Sequence, residues 1–237
     1  MKPTTSGGSF APPSNLLLVW AMRLATGPAI YLLYRWVVGY IQTAVSPLTL
    51  LGYPILTIYG SSAVVLCCMF AVHWRLVQPA SSILGIVTGR QWATGLGAVF
   101  ASYAICIAIT LALGNGREPV MRFLGLGMTQ AQYLWLIGSL IVLPPIVEEL
   151  AYRHFLLTAV PIELSKRLAA VAVFVTALMF WHAHSGYIYT PTKWLMFTLG
   201  LVLGWARVAT GGLLLPICLH AFAEVVALSS DAVWKHW

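Results

Sequence analysis

Charge is what this chain has least of. Only 8% of its 237 residues are Asp, Glu, Lys or Arg, against 60% hydrophobic, and its mean hydropathy is +0.87. Soluble domains carry about 25% charged residues, so a soluble protein is excluded and a polytopic membrane protein is implied. Cysteine is also sparse. Cys67, Cys68, Cys106 and Cys218 fall within apolar runs without the CxxC or Cys/His spacing of a redox or zinc site, and they read as small hydrophobes. There is no HExxH motif, and the glycine-rich stretch GNGREPVMRFLGLGMTQAQ has no preceding strand, no GxGxxG and no P-loop, so it has no nucleotide role. The net charge of +7 comes from scattered basic residues, which suits a lipid bilayer with anionic head groups rather than nucleic acid.

What the chain does have is long apolar runs. Residues 1–15, rich in Pro, Gly, Ser and Thr, are expected to form a disordered N-terminal tail, and a cleavable signal peptide is not expected because Arg23 interrupts the apolar run that follows. Residues 16–237 are expected to be a single transmembrane domain, an all-α helix bundle of about seven spans. The first runs from Leu16 to about Ile41 with a kink at Gly27-Pro28, or else breaks into an interfacial helix and a short span. The second, Leu48–Val72, has 25 residues without a charge, more than the roughly 20 needed to cross the hydrocarbon. The third, Trp92–Leu113, has Gly95 and Gly97 as close-approach points. The fourth spans Tyr133–Leu157, the fifth Lys166 to His184, the sixth Lys193 to about Val208, and the seventh Leu213–Ser229. Lys and Arg divide evenly between the two sides, so the positive-inside rule assigns no orientation.

Three of the six acidic residues, Glu148, Glu149 and Glu224, lie inside apolar runs, where ionisable groups are costly and usually mark function. In LPPIVEELAYR, Glu149 and Arg153 share a helix face at i, i+4 and can pair, which leaves Glu148 free for chemistry. Pro144-Pro145, three residues before Glu148, remove backbone donors, free carbonyls one turn earlier and should loosen the helix just beside the site. Two more i, i+4 pairs occupy later runs, Phe180 with His184 and His220 with Glu224. Peptide hydrolysis without a Ser or Cys nucleophile needs an activated water, a base and oxyanion donors. Glu148 suits the base, and His184 and His220 suit the other tasks. His182 lies about 200° from His184 on a helix, so only one of them faces the site. His73, His154 and His236 lie at or near span ends and read as solvated. Helix arithmetic puts His184 deeper than Glu148 and His220 unless the fifth helix starts late or is tilted.

Taken in order, EExxxR, FxxxH and Hxxx(acid or amide), each on its own hydrophobic segment, resemble the CPBP (ABI) family of type II CAAX prenyl endopeptidases, which are glutamic intramembrane proteases. The resemblance covers residues 133–229. It implies an intramembrane endopeptidase acting on a membrane-anchored or lipidated protein or peptide, with no cofactor, in a prokaryotic inner membrane. The candidate site is Glu148, Glu149, His184, His220 and Glu224, with Arg153 as a structural ion-pair partner. Glu224 departs from the family pattern, which ends in an amide; an acid can donate a hydrogen bond there only when protonated.

Two other readings fit the same residues. Two His and two Glu could bind zinc in a metal-dependent version of the hydrolase. The Glu, Arg and His groups could instead serve a proton-coupled transporter, or the chain could be a non-proteolytic immunity or scaffold protein.

Overall fold

A computed structural model describes residues 14–77 and 83–235; the expected tail lies almost wholly outside them, as does His236. The described chain is all helical: α1 (Ser14–Ala44), α2 (Pro47–Gly52), α3 (Pro54–Val77), α4 (Gly89–Ala112), α5 (Pro119–Phe123), α6 (Gln130–Glu148), a π-helical stretch Glu149–Leu156 that continues α6, α7 (Lys166–Ala183), α8 (Thr190–Thr210) and α9 (Leu214–Trp234).

Six helices are long and apolar enough to cross a membrane: α1, α3, α4, α6 with its π-helical extension, α7 and α9. The seventh expected span exists as α8, whose 21 residues cover about 31 Å, but it falls short of that apolarity. Its neighbours explain this. α8 packs on α4, α7 and α9, so much of its surface meets protein rather than lipid. The second expected span is broken. Tyr53 precedes Pro54 and leaves the helical region (φ −142°, ψ 56°), as a residue before proline tends to, and Pro54 restarts the helix as α3. Cys67 and Cys68 are free thiols on the exposed, lipid-facing side of α3.

Gly27 does not split α1, which runs unbroken through Pro28. It is instead a point of close approach: a Cβ at Gly27 would lie 2.3 Å from the Phe155 carbonyl oxygen on the π-helical stretch. Of the two glycines expected on α4, Gly95 packs against Leu219 of α9, whereas Gly97 faces open space.

α6 passes straight through Pro144 and Pro145 and becomes π-helical at Glu149, so the irregularity does fall just beside the site, although it follows the prolines rather than starting at the carbonyls they free. From Val147 to Phe155 every residue is buried, and α1, α3, α6, α7 and α8 all touch the π-helical stretch. This stretch is the axis of the fold. Two histidines expected to be solvated are drawn in with it. His154 and His73 are both buried, with His73 Nδ1 3.1 Å from His154 Nε2 and His73 Nε2 3.0 Å from Thr26 Oγ1. Position in the sequence misled here, because other helices cover the ends of these two.

Replacing Gly27 with Ala should force α1 off the π-helical stretch and cost about 1–3 kcal/mol, as overpacking does. Gly97→Ala meets nothing and should stabilise α4 by up to about 1 kcal/mol through helix propensity. Thermal unfolding in detergent compares the two, and equal midpoints would contradict the packing described.

Candidate active site

The three motif segments converge. Glu148 closes α6, His184 caps α7 and His220 lies on the second turn of α9. Glu148 Oε2 is 3.9 Å from His184 Nε2 and 3.9 Å from His220 Nε2, and Glu224 Oε1 is 3.8 Å from His220 Nε2. All five candidate residues and Arg153 therefore belong to one cluster. α7 starts at Lys166 and not later, yet His184 reaches Glu148. His182 is exposed, which leaves His184 as the histidine of this pair at the site.

Each imidazole is held by its other nitrogen. His184 Nδ1 lies 2.8 Å from the Phe180 carbonyl oxygen, which can only accept, so Nδ1 carries the hydrogen and Nε2 faces Glu148. His220 Nδ1 donates in the same way to Glu149 Oε1 at 2.8 Å. The other oxygen of Glu149 forms an ion pair with Arg153 Nε at 3.1 Å, and both side chains are fully buried. Arg153 also donates to the Gly200 carbonyl and lies over the Phe180 ring, 4.8 Å from its centroid. Arg153, Glu149 and His220 thus form a chain that aims an imidazole at Glu148. Phe180 is its wall, with His184 and His220 ring centroids 4.4 and 5.8 Å away.

A cavity of about 300 Å³ opens onto this cluster. Glu148, His184 and Glu224 line its polar end; Val120 and Met121 from α5 are among its apolar walls. Tyr187, in the turn between α7 and α8, also lines it. Burial, then the nearby charges of Glu224 and Glu118, push the Tyr187 hydroxyl well above the usual tyrosine range, so it stays protonated. Among the described residues, no group of three or more His, Cys, Asp or Glu has the geometry to hold a metal ion.

Tyr59 was not found from the sequence. Its hydroxyl, on the second turn of α3, donates to Glu148 Oε1 at 2.7 Å. The available signal was positional: membrane tyrosines collect at the interfaces, and this one sits well inside an uncharged run.

Arg153→Ala strands a buried Glu149, and removing one partner of such a pair costs about 3–5 kcal/mol. The expected outcome is less folded protein in the membrane and a lower unfolding midpoint. The double change Glu149→Gln with Arg153→Met should recover part of that loss, because neither charge is then buried alone; no recovery would mean that the pair does not carry the stability.

Residues 130–226 match the family model described as Rce1-like, type II CAAX prenyl endopeptidase. Over 172 residues the chain is 29% identical to an uncharacterized 24.3 kDa protein of Escherichia coli, covering 72% of this chain and 77% of that protein. No solved structure matches the chain. The stretch from α6 into α9 that carries the EExxxR, FxxxH and HxxxE residues, 130–226, is thus similar to the Rce1-like, type II CAAX prenyl endopeptidase family.

Proposed function

We propose that this protein is an intramembrane endopeptidase that hydrolyses a peptide bond in a membrane-anchored or lipidated substrate with a water activated by Glu148. One observation carries the reading. Glu148 Oε2 is buried, has no hydrogen-bond partner among the described residues, and faces two imidazole Nε2 atoms at 3.9 Å inside a cavity. That spacing is too long for direct hydrogen bonds, yet a water about 2.8 Å from each group would bridge it.

In this reading the water gives a proton to Glu148 Oε2 as its oxygen attacks the scissile carbonyl carbon. His184 Nε2 holds the attacking water. His220, ringed by Glu148, Glu149 and Glu224, acts as an imidazolium with a hydrogen on each ring nitrogen and donates from Nε2 to the oxyanion. Glu148 then passes its proton to the leaving nitrogen, the C–N bond breaks, and a carboxylic acid and an amine leave. Glu149 and Arg153 touch neither water nor substrate; they orient His220. Six apolar helices support an integral membrane protein, and the bacterial relative supports a prokaryotic inner membrane.

Glu148→Gln keeps the shape and removes the base. Cleavage should fall at least 10²–10⁴-fold, roughly the size of general-base effects, with the amount of inserted protein unchanged. Comparative peptidomics of cells carrying wild-type or Glu148→Gln protein measures this and identifies the substrate class. Peptide profiles that do not differ would sink the hydrolase reading and return the chain to a transport or scaffold role.

Glu224 stands where the family has an amide, and the structure puts its carboxyl on the His220 side of the site. Glu224→Asn is expected to stay active and Glu224→Ala to be strongly impaired, with a chelator changing neither. The zinc-dependent alternative makes the opposite forecast: Glu224→Asn loses activity, and both chelation of the wild type and added zinc move the rate.

A further inference from the structure

The two oxygens of Glu148 are not equivalent. Oε1 accepts a hydrogen bond from the Tyr59 hydroxyl at 2.7 Å, while Oε2 faces His184 and His220. A carboxylate turns about its last torsion in a broad, roughly two-fold well, so nothing in the side chain alone fixes the angle of its plane and hence whether an oxygen points at the histidines. Among the described residues Tyr59 is the one hydrogen-bond donor to Glu148. It lies on α3, outside the family-matched residues 130–226, and its side chain lines the same cavity as Glu148, His184 and Glu224.

We propose that Tyr59 is a positioning residue for Glu148: its hydroxyl pins Oε1 and thereby presents Oε2 to the gap between the two histidines. Turning the carboxylate part of the way would break the 2.7 Å bond and offer nothing in return, since neither Nε2 is within hydrogen-bond distance, whereas a half-turn exchanges two identical oxygens and restores the same arrangement. The same bond gives a buried carboxylate one of the donors that water would otherwise supply. It also ties α3 to the end of α6, so a helix outside the motif region helps set the geometry of the site. What this does for turnover rests on the hydrolytic reading; the contact itself does not.

Tyr59→Phe, which keeps the ring and removes the donor, is the test, made on the full chain reconstituted in vesicles of phosphatidylethanolamine and phosphatidylglycerol. Infrared difference spectra between wild type and Glu148→Gln isolate the Glu148 carboxyl band. Tyr59→Phe is expected to move that band, and an unmoved band overturns the proposal whether or not the protein is a protease. With internally quenched transmembrane peptides as reporters, kcat should fall on the order of 10²-fold, the scale of a small misplacement of a reacting group. KM should stay within about twofold, since the lost contact is not to substrate. Incorporating 3-fluorotyrosine at position 59, which restores a donor, should recover most of that loss. An unchanged kcat in Tyr59→Phe, or a loss that 3-fluorotyrosine leaves in place, overturns it too. If the wild type cleaves no reporter, it is the hydrolytic reading that fails, and the infrared band still decides whether Tyr59 holds Glu148.

Discussion

A carboxylate sealed from water keeps its charge only if protein groups replace the solvent, and the architecture of this chain follows from how Glu149 meets that demand. It has no exposed surface, and it is neutralised by Arg153 one way and hydrogen-bonded by His220 the other. Each partner belongs to something larger. Arg153 rests on Phe180 of α7 and reaches the backbone of α8 at Gly200, while His220 belongs to α9. A single buried charge thus fixes the mutual positions of the helices that carry the three motifs. Isolated buried ion pairs add little net stability because desolvation offsets attraction; here the pair's effect is to allow one arrangement of those helices and penalise others.

Much of this could be read from residues alone, because the signals are local. Spacing of four within an apolar run put Glu149 with Arg153, Phe180 with His184 and His220 with Glu224, and all three pairs meet at the site. Span positions followed from run length, and α8 was found even though its surroundings, not its composition, make it acceptable in a membrane. The misreadings share a cause. Tyr59 bonds a residue 89 positions away, and His73 and His154 are covered by other helices; nothing in a local window encodes either fact. The break at Tyr53 was legible in principle, since a residue before proline avoids the helical region, but an uninterrupted apolar run masks it. The depth of His184 failed for a geometric reason: counting residues along one helix says nothing about how the helices are placed against one another.

The π-helical stretch lies where these facts meet. A turn that bonds to the fifth residue rather than the fourth changes which side chains share a face, and such turns often occur at functional sites. Here it begins with the residue after Glu148 and carries Glu149, Arg153 and His154, all facing protein. Helices α1, α3, α6, α7 and α8 all touch it, and His220 of α9 bonds to its Glu149, so the polar centre is enclosed by protein.

α7 and α8 are the two least apolar of the span-length helices, and they are joined by a short turn. Where Gly200 meets α7, a Cβ would lie 2.9 Å from the Cα of Ala177. Helices leave the translocon more readily the more apolar they are, which makes α8 a poor candidate for entering the bilayer alone. The close fit at Gly200 lets the two enter as a hairpin, each covering the other's least lipid-compatible side. Synthesis of the site then follows chain order: Glu148 is made before the hairpin that brings His184 to it, and His220 comes after both, with α9.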